Sequence, residues 1–363
     1  MPTLSICSRL SLKLVLSLAV LALLLARGSW SNTSLLSKPR DLESNQRLAP
    51  ISMASTPRHH APVASTLQRV LLYESKVQKK IDSVLKKKVL ANTTTKPPFS
   101  IYLYPRAMDG LRWGIYVRGR YYEDRLTQLV HWITRSSLDG IVIDAGANIG
   151  WVSLLAASHG RKVLAFEANP VTFSLLSHSI QVNPGFQDLV SAQNYGLVGE
   201  DFVESNISFV IGTSNPGASR ITETHDKSVI HVPAAHLSTF VPLKNDIVLF
   251  KIDIEDAEIP VLKESMQLFS QQRVLFMHIE TRFKDPSSQE VFESIFAAGY
   301  ELCPGEKIRA SDLIGLNTAD PTTVYKVMKK QGFKGGNPNF ILKVKKPNVN
   351  CYDFPKNRLH LED

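Results

Sequence analysis

At 363 residues the chain is long enough for one large domain or two small ones, and its 44% hydrophobic and 21% charged residues are ordinary for a globular protein. Much of its formal charge of +9 sits in the N-terminal third, notably at Lys79-Lys80 and Lys86-Lys87-Lys88, where a basic stem beside a membrane accounts for it. No aromatic and basic residues interleave as in RNA-binding sheets, and the three cysteines lack zinc-ligand spacing, so nucleic-acid and structural-zinc classes are set aside.

The run Leu10 to Ala26 is strongly apolar, with Arg9 and Lys13 ahead of its core and Arg27 behind it. As a helix it spans about 25 Å, slightly short of a hydrocarbon core of about 30 Å. Residues 1–28 therefore read as a signal anchor or a cleaved signal peptide, with Ala26 and Gly28 as small residues for cleavage. The absence of Asp and Glu from the first forty residues also suits an organelle transit peptide, although the uniform Leu-rich core does not. Sequons at Asn32, Asn92 and Asn206 fit a lumenal domain.

Residues 29–98 read as a stem. Ser29 to Pro62 is too poor in apolar residues to bury a core. Leu67, Val70, Val77, Ile81 and Val84 then approach a heptad spacing, which predicts a short basic amphipathic helix lying on a membrane or pairing weakly. Asn92 to Pro98 ends it and marks the boundary of a domain over 99–363.

Beyond Phe99 strands alternate with helices, the pattern of an α/β domain with a mostly parallel sheet and helices on both faces. Ile101 to Tyr104 and Trp113 to Val117 read as a hairpin, and Asp124 to Ile133 as a helix. Strands are expected at Ile141–Asp144, Lys162–Phe166, Leu189–Gln193, Asp246–Ile252, Arg273–Ile279, Tyr300–Cys303 and Phe340–Val344, with an extra one at Ser205–Ile211. Helices are expected at Trp151–Ser158, from Pro170, at Glu258–Phe269 and around Gln289–Ala297. Cys303 and Cys351 read equally as a clip on the C-terminal tail or as two free thiols.

The first chemical signal is Asp144-Ala145-Gly146-Ala147-Asn148-Ile149-Gly150, at a strand-to-helix turn. Gly146 permits a tight turn and close ligand approach, and Gly150 close packing at the helix start. A pyrophosphate site calls for G-x-G-x-x-G and no carboxylate aimed at the phosphates. Asp144 suits instead a ligand carrying an ammonium and a sulfonium. Glu167 ends the second strand, where a carboxylate accepts ribose hydroxyls. The pair describes an adenosine nucleoside without phosphates.

Val142-Ile143-Asp144-Ala145-Gly146-Ala147-Asn148-Ile149-Gly150-Trp151, then Ala165-Phe166-Glu167-Ala168-Asn169-Pro170, then Phe250-Lys251-Ile252-Asp253-Ile254-Glu255-Asp256-Ala257-Glu258 resemble the FkbM-type methyltransferases over roughly Arg120 to Lys345. The resemblance implies a class I methyltransferase (Rossmann-like) fold using S-adenosylmethionine, most often to methylate a hydroxyl oxygen. It implies cofactor contacts from Asp144, Gly146, Asn148, Gly150, Glu167, Asn194 and Asp253, while Tyr122-Glu123, after Gly119-Arg120-Tyr121 in a Gly-x-Tyr-Glu-like stretch, reads equally as a cover over the cofactor or as surface packing. Asp256 stands where the family carries a glycine; if that position has positive φ, Asp tolerates it. Leu237-Ser238 replaces the family's Leu-Asp. The loop Ser214 to Arg220 shapes the acceptor side by its family position.

Methyl transfer to an alcohol requires alignment and removal of a proton. Asp253 and Glu280, each at a strand end, are the catalytic candidates, with His278 two residues before Glu280 as a base or a packed strand histidine. Asp253, Glu255 and Glu280 are the carboxylates able to gather a cation, but no metal is expected. The expected activity is O-methylation of a glycan or glycoconjugate hydroxyl in the secretory pathway, Golgi foremost, with membrane attachment through residues 10–26 and no nucleic-acid partner. The alternatives are a non-catalytic binding protein on this fold, or a small-molecule or lipid methyltransferase outside the lumen.

Overall fold

The computed structural model describes residues 63–105, 112–121, 123–210, 219–221, 229–241, 246–281, 287–304, 325–327 and 339–352. The apolar run Leu10 to Ala26, the sequon at Asn32, Tyr122 and most of the loop from Ser214 lie outside them. Among the described residues no helix is long and apolar enough to cross a membrane.

Helix α1 (Val63–Lys87) carries Val77, Ile81, Val84 and Leu85 on one stripe, with Val84 only 2% exposed. That near-heptad spacing serves docking on the domain and not a coiled coil: α1 packs on α5 (Pro170–Val182). Strands β1 (Val89–Asn92) and β2 (Ser100–Leu103) pair antiparallel. Ser100 N and Tyr102 N donate to Asn183 Oδ1 and Ser179 Oγ, which fixes the hairpin to the C-terminal half of α5. Ala91, Phe99 and Ile101 join the core shared with the main sheet. The boundary expected at Pro98 thus falls inside the folded body.

The hairpin partner expected at Trp113 to Val117 is instead helix α2 (Arg112–Arg118), closed by Gly119 at φ 63. Its alternating apolar residues do not face a core in alternation: Ile115 is buried while Tyr116 and Val117 are exposed. Helix α3 (Asp124–Arg135) buries Leu126, Leu129, Val130 and Ile133.

The main sheet has the order β12 (Tyr300–Cys303), β13 (Asn339–Val344), β11 (Val274–Glu280), β10 (Ile247–Ile252), β3 (Ile141–Ala145), β4 (Val163–Phe166), β5 (Val190–Gln193). Strands β5, β4, β3, β10 and β11 are parallel, and β13 lies antiparallel to both of its neighbours. The order agrees with the mostly parallel α/β sheet expected from the sequence. Their near-continuous Val, Ile, Leu and Phe content matches burial on both faces. Helices α3 and α4 (Trp151–Ser158) cover one face, where Trp132 meets Phe276 and Ser153 meets Asp144. Helices α7 (Glu258–Glu264), α8 (Met266–Ser270) and α9 (Ser287–Ala297) pack together, with Phe269 of α8 against Phe250 of the other face. The single helix expected over Glu258–Phe269 breaks at Ser265, whose hydroxyl donates back to Val261 O.

The extra strand expected at Ser205–Ile211 is β7 (Asn206–Val210). It belongs to a second, four-stranded sheet of order β6 (Gly196–Leu197), β9 (Val229–Ala235), β7, β8 (Arg220–Ile221), with its own core of Ile207, Phe209, Ile230 and Val232. Cys303 and Cys351 form a disulfide that closes the segment after β13 onto β12.

Candidate active site

The crossing direction of the sheet reverses between β3 and β10, and open α/β sheets bind ligands beyond the carboxyl ends of strands at such a point. Here a cleft of about 620 Å³, including the space open to solvent, is lined by Gly146, Asn148, Glu167, Tyr195, Asp253 and Glu255 among others. Phe166, Leu197, Ile207 and Phe209 give it an apolar wall, the last two from the second sheet.

Gly146 has φ 78, and a Cβ there would lie 1.7 Å from the carbonyl oxygen of Asp253. Only glycine lets the turn after β3 pass this close to the end of β10. Asn148, also at positive φ, donates its backbone N–H to Glu167 Oε2 at 2.8 Å, and Asn169 N donates to Oε1 at 2.8 Å. Burial nevertheless outweighs these amides and pushes the Glu167 carboxyl up to about 7. Asn194 does not line the cleft; its amide donates to Glu167 O and Ala168 O and holds the turn that carries Glu167. Gly150, at φ 98, faces Leu176 and serves the packing of α4 on α5.

Asp144 is not at the cleft surface. It is 1% exposed, accepts from Ser153 Oγ at 2.6 Å and lies 3.6 Å from Lys251 Nζ. Its charge therefore serves an internal ion pair behind the turn that carries Gly146. Lys251, part of the third sequence motif, is the residue to which sequence reasoning gave no role. Its ammonium donates to Gly146 O at 2.6 Å and lies 3.8 Å from Asp253 Oδ2. Burial alone would lower its pKa, but Asp253, Asp144, Glu123 and Glu280 together raise it, so it stays charged. The signal was a lone lysine in an otherwise apolar strand, Ile247 to Ile252.

Lys251 pairs in register with Asp144 on β3 and with His278 on β11, so the three side chains form a row on one face. His278 is 4% exposed; burial and then the charge of Lys251 push its pKa down to about 3. A neutral imidazole so hard to protonate is a poor general base near neutral pH, so the role of base falls from His278. It lines a smaller cavity with Glu123, Arg125 and Asn339, not the main cleft. Glu280 is half-buried at the end of β11. Among the described residues no group of three His, Cys, Asp or Glu is arranged to hold a metal ion.

The loop after β10 holds Glu255 at φ 53 and Asp256 at φ 78, so the residue standing for the family glycine does occupy the left-handed region. Ile254 N donates to Glu258 Oε1 across this loop, and burial raises Glu258 to about 7. Two successive left-handed non-glycine residues beside a cleft are strain of about 1–2 kcal/mol each.

Residues 144–302 match the methyltransferase FkbM domain. That stretch of the chain is similar to the FkbM methyltransferases. Methyltransferase 1 of Beauveria bassiana (strain ARSEF 2860) is 29% identical over 149 residues, which are 34% of this chain and 58% of that protein. The methyltransferase FkbM of Methylobacillus flagellatus KT aligns at 16% identity and TM-score 0.28, over 42% of this chain and 39% of that one. The S-adenosylmethionine-dependent methyltransferase of Agrobacterium tumefaciens aligns at 10% identity and TM-score 0.37, over 72% and 71%. The chain thus spans 58% of that curated relative and 39% of the FkbM structure. The FkbM domain begins at Asp144 and ends at Leu302, inside β12, so α1, the hairpin, α2, α3 and β13 lie outside the matched span.

Proposed function

We propose that this protein is an S-adenosylmethionine-dependent O-methyltransferase acting on a glycan or glycoconjugate hydroxyl in the secretory pathway, Golgi foremost. One observation carries the donor assignment: Glu167, at the end of β4, presents a desolvated carboxylate to the cleft, and two backbone amides do not offset its desolvation. A ribose diol supplies two further donors to this group, and the apolar wall of Phe166, Leu197 and Phe209 suits an adenine face. Among the described residues that line the cleft there is no lysine or arginine to answer to phosphates, and a nucleoside fits this lining better than a nucleotide.

S-adenosylmethionine supplies, when bound, a methyl group on a cationic sulfur that an oxygen nucleophile displaces. The acceptor hydroxyl must lose its proton as it does so. Asp253, on the cleft wall and 3.8 Å from the Lys251 ammonium, is the carboxylate placed to take that proton. Gly146 and Asn148 line the cleft, and Glu123 and Glu280 lie within electrostatic reach of Lys251. Lumenal location is supported by the Cys303–Cys351 disulfide and by exposed sequons at Asn92 and Asn206. The apolar run Leu10 to Ala26 would provide the membrane attachment.

Calorimetric titration with S-adenosylmethionine tests the donor: micromolar-range affinity is expected, falling at least tenfold in Glu167→Ala. Labelled methyl transfer to a panel of glycans, lipids and small alcohols tests the acceptor, with Asp253→Asn as the inactive control. Unglycosylated Asn92 and Asn206 in secretory cells would remove the lumenal part of the proposal.

A further inference from the structure

A second cavity of about 270 Å³, including the space open to solvent, lies between the N-terminal end of α3 and strands β11 and β13. Its lining includes Glu123, Arg125, Leu126, His278, Asn339 and Ile341. Two of its buried polar atoms, His278 Nδ1 and Asn339 Oδ1, have no hydrogen-bond partner among the described residues. Such atoms cost about 1–3 kcal/mol each when left unmade, and they gather here on one small space. Ile341 pairs with His278, and Asn339 with Glu280, in the β11–β13 register.

Lys251 stands between this cavity and the main cleft. On one side it holds Gly146 O and faces Asp253, both of which line the cleft. On the other it is the cross-strand neighbour of His278 and lies within electrostatic reach of Glu123 and Glu280. We propose that the cavity is an acceptor subsite that binds one hydroxyl of a polyhydroxylated acceptor between His278 Nδ1 and Asn339 Oδ1, next to the hydroxyl to be methylated.

The chemistry of the two atoms selects the group. Asn339 Oδ1 only accepts, so the bound group must donate a hydrogen bond. The neutral imidazole of His278 offers either a donor or an acceptor at Nδ1, and a hydroxyl satisfies both cases. A carboxylate or phosphate has no proton for Asn339 and would add negative charge beside Glu123. An ammonium would meet Lys251 and Arg125. The enclosed space holds no more than about one water-sized group, so it takes one functional group and leaves the remainder of the acceptor outside. Vicinal hydroxyls on a sugar ring fit this division.

The inference rests on the methyltransferase reading, so the test separates the two. The full chain is titrated with S-adenosylmethionine, then assayed for labelled methyl transfer to methyl hexopyranosides, a methyl 2-amino-2-deoxyhexopyranoside and their 2-deoxy analogues. Absence of donor binding overturns the function itself. With donor binding intact, transfer to the hexopyranosides with KM raised at least tenfold in Asn339→Ala and in His278→Leu is expected. Donor affinity in both variants should stay within twofold of wild type, and Asn339→Gln should recover part of the KM. KM within twofold of wild type in both folded variants overturns the subsite, as does transfer to none of the glycosides or a preference for the amino sugar. Melting curves establish folding; if one variant does not fold, the 2-deoxy analogues give the same readout on the wild-type protein, where an unchanged KM for all of them is the refuting result.

Discussion

Replacing Gly146 with alanine isolates how tightly the ends of β3 and β10 are joined. The new methyl carbon would lie 1.7 Å from Asp253 O, whereas carbon and oxygen settle at about 3.3 Å or more, so the two backbones must part by roughly 1.5 Å. That movement loads the bond from Asp253 N to Ala145 O at 3.1 Å and the one from Lys251 Nζ to Gly146 O. The left-handed φ costs an alanine about 1–2 kcal/mol, and forced overpacking adds about 1–3 kcal/mol. The sum, roughly 2–5 kcal/mol, is a large part of a typical domain stability of about 5–15 kcal/mol. Gly160 supplies the control, because it has the same φ of 78 and nothing within 4 Å of an added Cβ. Gly160→Ala should show only the backbone cost. Urea unfolding of both variants at one pH measures the difference directly, and a titration with S-adenosylmethionine should show weakened binding for Gly146→Ala alone. If the two variants unfold within about 0.5 kcal/mol of each other, the close crossing does not exist as described.

The state of Glu167 gives a pH dependence whose sign is fixed. Its carboxyl sits at about 7 against an ordinary 4.5, and only the ionised form accepts from both ribose hydroxyls, so donor affinity should rise about tenfold from pH 6 to pH 8. That rise should vanish in Glu167→Gln. Raised carboxyls stabilise the fold below about pH 4.5 and lose that contribution as pH climbs through 7, by up to about 3 kcal/mol for Glu258. Glu258→Gln should therefore unfold at higher urea than wild type at pH 8, and the gain should shrink toward pH 5. Lys251→Met leaves the 1%-exposed Asp144 without its cation and should cost about 3–5 kcal/mol by the same measurement, an outcome refuted by an unchanged midpoint. Cys351→Ser opens a cross-link of sequence separation 48 and should cost about 4 kcal/mol, while reduction of the wild type should lower its melting temperature to that of the variant.

Much of this fold is legible because its strands are short apolar runs closed by glycine, proline or acid. Trp151–Ser158 coincides with α4 residue for residue, and Tyr300–Cys303 with β12. Failures came where local pattern and burial diverge. The segment Arg112–Arg118 alternates like a strand yet buries Ile115 and exposes Tyr116 and Val117, and the place beside β2 is taken by Val89–Asn92. Strand β9 was missed because Pro233 interrupts its pattern, although Val229, Ile230 and Val232 are buried. In the site, Glu167 and Asp253 were placed by their strand-end positions. Asp144 was assigned to a ligand because sequence shows a charge but not the lysine opposite it on the next strand. Asn194 and Gly150 act one step removed, and only the folded chain tells a lining residue from one that holds the lining.

Strand β13 is later in the chain than both strands it separates. During synthesis β11 and β12 emerge with a gap between them, and their edges stay unpaired until residues 339–344 have left the ribosome. The acceptor side of the site, which needs Asn339 beside Glu280, can therefore assemble only after nearly all of the described chain has been made. Among the described residues the lining of the main cleft ends at Ala257, so that side can form earlier. A nascent chain arrested near residue 330 would hold a half-built enzyme with two exposed strand edges, the species in which chaperone capture or aggregation would compete with completion.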